Sequence, residues 1–145
     1  MIHFSFTCAL IMLIISQFLF SKVFNNDFYE SYKVFDIYLL LVISRFVFPQ
    51  TVLMGLKRKN ILLKTGIAEF VINLTSSLVL SKYFGFLGVA YGTLIAYFFE
   101  KTVLIIHLYS KHHISPQKYI ALKELSIYSF ILLTCYLVKQ LIYFT

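Results

Sequence analysis

Ser81-Lys82-Tyr83-Phe84-Gly85-Phe86-Leu87-Gly88-Val89-Ala90-Tyr91-Gly92-Thr93 joins two long apolar runs through a very short turn. If both runs are helices, so short a turn makes them an antiparallel pair packed side by side. The run before it carries Thr65, Glu69, Asn73 and Ser77, and the run after it carries Gly88, Gly92, Ala96 and Glu100. Residues four apart share one helix face, so these are two stripes, one polar and one of small residues that ends in an acid. Acids and amides inside an apolar hairpin predict helices that line something polar within a membrane.

Composition sets the class. The chain has 145 residues, 60% of them hydrophobic and 13% charged, with a mean hydropathy of +0.84. Soluble domains carry about 45–50% apolar and about 25% charged residues, so a soluble fold is excluded. A net charge of +7 would suit nucleic acid. Here, however, the lysines and arginines cluster between apolar runs, the pattern of short membrane loops. The expected partner is membrane lipid, not nucleic acid.

Five apolar runs stand out, at residues 4–20, 34–56, 61–80, 86–108 and 125–144. Each approaches the roughly 20 residues needed to cross about 30 Å of hydrocarbon. Helices are expected, because open strands would leave backbone groups unpaired in lipid. The fold class is therefore all-α: a single polytopic transmembrane bundle over residues 1–145. The first run is the least certain span. It has neither the positive n-region nor the small-residue cleavage site of a signal peptide. The chain starts almost inside this run, which points to an internal piece of a longer protein or to a mis-set start.

Lys57, Arg58, Lys59 and Lys64 mark the second loop, and Lys111, Lys118 and Lys123 mark the fourth. The positive-inside rule places both in the cytoplasm. In the first loop Phe24, Phe28, Tyr32 and Phe35 recur at helical spacing, with Asn25, Asp27 and Glu30 facing elsewhere. That pattern predicts a short amphipathic helix near residues 24–34 at the outer interface, or else an ordinary ordered connection. Pro49, inside the second run, predicts a kink.

Cys8 and Cys135 lie within apolar runs and read as small buried hydrophobes. His112-His113 has no further ligand cluster, so neither a metal nor another cofactor is expected. No carboxylate pair, metal-ligand spacing or nucleophile constellation points to an enzyme. The chemistry, if any, lies with charges inside the spans, which usually face the protein interior or a wet cavity. Arg45, Glu69, Asn73 and Glu100 are the candidate substrate-binding or coupling residues. Glu69 and Glu100 admit three readings: neutral carboxyls, structural partners of Arg45, or groups that take part in transport. Arginine keeps its charge, and facing a cavity it would suit a phosphate or diphosphate through forked hydrogen bonds. Gly88, Gly92 and Ala96 read as helix-packing residues.

The order Gly55-Leu56-Lys57-Arg58-Lys59-Asn60, then Asn73-Leu74, then Lys82 through Thr93 resembles the C-terminal region of the polysaccharide flippases. These are the O-antigen, or Wzx-type, members of the multidrug/oligosaccharidyl-lipid/polysaccharide exporter superfamily. Gly85, Gly88, Ala90 and Thr93 match the family's stretch, while Ser77 stands for its second asparagine and its Ile-Pro is missing. The likeness covers roughly residues 17–109, and the glycine pattern is shared with relatives, including lipid II flippases.

The resemblance implies a two-lobed transporter around a central cavity, of which this chain would supply most of the second lobe. Such proteins move undecaprenyl-pyrophosphate-linked oligosaccharide across the inner (cytoplasmic) membrane for lipopolysaccharide and other surface polysaccharide. They work by alternating access, and several are thought to be coupled to ion gradients. The implied partners are the lipid-linked oligosaccharide and the missing N-terminal lobe or an oligomer partner. Two other readings stand beside it: a non-transporting membrane remnant or assembly subunit, and a small proton-coupled drug exporter with Glu69 as the proton carrier.

Overall fold

The computed structural model describes residues 2–23 and 30–144, and these are helical apart from short connections. Five segments are long and apolar enough to cross a membrane: Ile2–Val23, Ser31–Gly55, Lys59–Phe84, Phe86–His112 and Leu122–Ile142. They coincide with the five expected runs, each reaching a few residues further at one or both ends. The described residues are thus all-helical, and the five apolar helices suggest a multi-pass membrane protein.

The second segment departs from expectation. It is not one kinked helix over 34–56 but three pieces, α2 (Ser31–Leu39), α3 (Leu41–Arg45) and α4 (Pro49–Gly55). The break falls just ahead of Pro49, where Phe48 sits at φ −110°, ψ 44°. A proline ring clashes with a helical residue before it and supplies no N–H to the turn, so Pro49 starts a new helix instead of bending an old one. Residues 24–29 of the expected interfacial helix lie outside the described residues. Residues 31–34 belong to the first turn of α2, and Tyr32 there is buried against the bundle, not laid out at an interface.

Helices α5 (Lys59–Phe84) and α6 (Phe86–His112) form the predicted antiparallel hairpin. One residue, Gly85, separates them, at φ 58°, ψ −137°. A side chain would strain that conformation, so glycine lets the chain reverse in a single step. A short 3₁₀ turn, Pro116–Lys118, then leads into α7 (Leu122–Phe144).

The core lies between α1 (Ile2–Val23), α2, α3, α6 and α7, around Phe6, Leu13, Ile37, Ala90 and Leu132. The Phe6 ring stacks on Tyr128 at 5.3 Å and meets Phe46 at 5.5 Å, joining α1 to α7 and α3. A second cluster, Leu53, Leu104 and Leu108, ties α4 to the lower part of α6. Helix α5 packs on α6 and, more lightly, on α4. Its other face exposes Ile67, Phe70 and Leu74. Exposed Phe18, Phe130 and Leu137 continue that apolar exterior, which a water-soluble monomer does not tolerate on this scale. Cys8 is on this outer surface and not buried as expected, and Cys135 is intermediate.

Candidate functional site

The small-residue stripe of α6 works as a packing seam. A Cβ on Gly88 would come within 2.3 Å of the Leu80 backbone, and one on Gly92 within 2.6 Å of the Ser77 nitrogen. A Cβ on Gly92 would also meet the Ser77 hydroxyl, but the backbone contacts remain at both glycines, so side-chain movement alone does not relieve them. Ala96 is fully buried one turn further on. Such close approach brings polar groups together across the seam: Ser76 Oγ lies 3.3 Å from Gly92 O, and Ser77 Oγ 3.4 Å from Val89 O. Asn73 belongs to this seam, its Oδ1 accepting from Ser77 Oγ at 3.0 Å and Thr93 Oγ1 at 3.4 Å.

One helical turn beyond Ala96 the stripe becomes ionic. Glu100 is buried, and its Oε1 accepts from Gln50 Nε2 at 2.7 Å. Lys101 Nζ donates to Gln50 Oε1 and lies 3.9 Å from the other Glu100 oxygen. Gln50 therefore bridges the two charges, its amide NH₂ toward the carboxylate and its carbonyl toward the ammonium. The break in the second segment makes this possible. By restarting the helix at Pro49, the chain brings Gln50 of α4 against α6 in the middle of an otherwise apolar bundle.

Glu69 of α5 and Arg45 of α3 stand close enough to act on Lys101 electrostatically, and Glu69 also feels Glu100. Neither makes a hydrogen bond or ion pair among the described residues. Arg45 is exposed, and Glu69 is half-buried. The structure thus brings Arg45, Glu69 and Glu100 into one electrostatic neighbourhood, with Asn73 one turn along α5 in the seam. It does not join Arg45 to either glutamate: Glu100 is taken by Gln50 and Lys101.

A second ionic group lies nearer the opposite end of the bundle. Asp36 of α2 and Ser16 of α1 are fully buried. Lys139 of α7 donates to Asp36 Oδ2 at 2.5 Å, Ser16 Oγ at 2.6 Å and Leu13 O at 2.7 Å. Ser16 Oγ in turn donates to the other Asp36 oxygen at 2.6 Å. All three ammonium protons have acceptors, and the Tyr32 ring lies 5.2 Å from Nζ. Tyr91 and Tyr136 share a hydrogen bond of 2.9 Å between α6 and α7. This group clamps three helices and leaves no donor over for a ligand.

Sequence reasoning passed over Gln50, Lys101, Asp36 and Lys139, although all four lie inside the apolar runs. The signal was present: any ionisable or amide side chain within a span calls for a partner. Applied evenly, that rule names Asp36, Lys101 and Lys139 beside Arg45, Glu69 and Glu100, but it does not say which pairs with which. In comparisons with known proteins, no family model, no curated protein and no solved structure matches this chain.

Proposed function

We propose that the chain is part of a transporter that flips lipid-linked oligosaccharide across the cytoplasmic membrane, contributing helices of one lobe. The observation that carries this reading is the Gln50–Glu100–Lys101 network at the broken second segment, with Arg45 and Glu69 beside it. Interrupted helices with polar groups at mid-membrane are how secondary transporters build substrate and ion sites. In this reading the unpaired Arg45 guanidinium takes the diphosphate of the substrate, since a planar fork matches phosphate oxygens. Glu69 is the carboxyl able to exchange a proton, while Glu100 is held by its two partners. The N-terminal lobe, or another copy, would face α5 and Arg45 and complete a cavity there.

The test replaces Arg45 with Ala in the native gene. The expected result is loss of surface polysaccharide and accumulation of its lipid-linked precursor in the inner leaflet, with normal protein in the membrane fraction. Normal polysaccharide from Arg45→Ala rejects the role. The unpaired state of Glu69 also favours proton-coupled drug export. If that is the function, Glu69→Gln abolishes resistance to cationic drugs in a sensitive host and leaves polysaccharide untouched.

A further inference from the structure

A cavity of about 650 Å³ opens at the end of the bundle where α4 stops, α5 begins and α6 stops. It is lined by Lys57, Arg58, Lys59, Lys64 and Lys111, with His107 and His112, and no acid among the described residues lines it. The distribution of Lys and Arg assigns this end to the cytoplasm.

Setting topology needs basic residues near the ends of spans, but it does not need them gathered around one space. Here they converge from three helix ends, and the backbone is bent to do so. Lys57 adopts φ 56°, closing α4 with the Arg58 N–H on Leu53 O at 3.0 Å and the Lys57 N–H on Met54 O at 2.9 Å. Glycine is the ordinary residue at that left-handed capping position. A lysine there is strained, and strained backbone concentrates where ligands are clamped. His113, at φ 52°, ends α6 on the same side of the bundle.

The flank of the cavity is apolar. Beside Lys64, α5 turns Leu63, Ile67 and Phe70 outward along one exposed face that runs from the cavity toward the middle of the helix. A ligand matching both features has an anionic head and hydrocarbon tails. We propose that this cavity binds the phosphate headgroup of an anionic phospholipid of the cytoplasmic leaflet, with its acyl chains along Leu63, Ile67 and Phe70. Basic recesses between helix ends suit such headgroups, and each Lys or Arg near the surface adds roughly a fivefold gain in affinity.

The test uses the full chain purified in detergent and titrated with phosphatidylglycerol or phosphatidylcholine, with bound lipid read by native mass spectrometry. Phosphatidylglycerol is expected to be retained and phosphatidylcholine lost. Lys57→Gln/Arg58→Gln/Lys64→Gln is expected to weaken retention roughly a hundredfold, from three such charges. Lys57→Gly relieves the backbone, so it keeps or raises Tm while weakening lipid binding about fivefold. It decides the matter if the triple variant does not fold, since unchanged affinity overturns the proposal. Equal binding of the two lipids overturns it, as does wild-type retention by a folded triple variant. Displacement of the lipid by inorganic diphosphate at matching concentration also overturns it, identifying a soluble ligand.

Discussion

Replacing Lys139 with Met keeps most of the side chain's volume and removes its charge. Three hydrogen bonds disappear at once, to Leu13 O, Ser16 Oγ and Asp36 Oδ2. The Asp36 carboxylate, fully buried, is left with the Ser16 hydroxyl as its donor. Breaking a buried pair from one side costs about 3–5 kcal/mol, because the remaining charge is desolvated and uncompensated. At about 3 °C per kcal/mol for a chain of this length, Lys139→Met should lower Tm by roughly 10–15 °C in detergent. Asp36→Asn is expected to lose a similar amount, since it leaves the ammonium without a counter-charge. The double variant removes both charges and keeps the Ser16 contact, so its loss should be only about 1–2 kcal/mol. The coupling energy from this cycle is therefore about 4 kcal/mol or more. Two results refute the reasoning. One is a single-variant loss under about 1 kcal/mol, the behaviour of a solvated surface pair. The other is strict additivity, which would mean that the two residues do not act on each other.

The glycines separate close approach from mere flexibility. Gly92→Ala should lower Tm by several degrees, since overpacking against the Ser77 backbone costs about 1–3 kcal/mol. Gly66→Ala, with nothing within 4 Å of the added carbon, should instead raise stability by about 0.5–1 kcal/mol. Equal effects at both positions would dismiss the seam. For sidedness, single cysteines at Lys59 and Tyr83, in a background free of Cys8 and Cys135, should label with impermeant maleimide from opposite faces of sealed vesicles. Labelling from one face would mean that α5 does not span.

The long helices were legible because their causes are local. An apolar run near the length of a bilayer has one way to satisfy its backbone in lipid, whatever its neighbours are. Gly88, Gly92 and Ala96 were legible as a packing face for the same reason, because a four-residue spacing puts them on one side of any helix. Pro49 was legible as a disturbance, but not as a break. Whether a helix bends through a proline or restarts at it depends on whether the residue ahead stays helical, and Phe48 at φ −110°, ψ 44° does not. Here Gln50 finds Glu100 and Lys101 on α6.

The ionic partners are where local reading stops. Asp36 and Lys139 are 103 residues apart, and Gln50 and Glu100 are 50 apart. Hydrophobic periodicity says nothing about which helices lie side by side. It therefore left Arg45 as one reading for Glu69 and Glu100, beside neutral carboxyls and groups that take part in transport. The sequence by itself determined a helical chain, its five apolar segments long enough to cross a membrane, and the small-residue face of its central hairpin. Tertiary structure alone decided which charges meet, because desolvation obliges each buried ion to find a partner and only the packing of the helices supplies one.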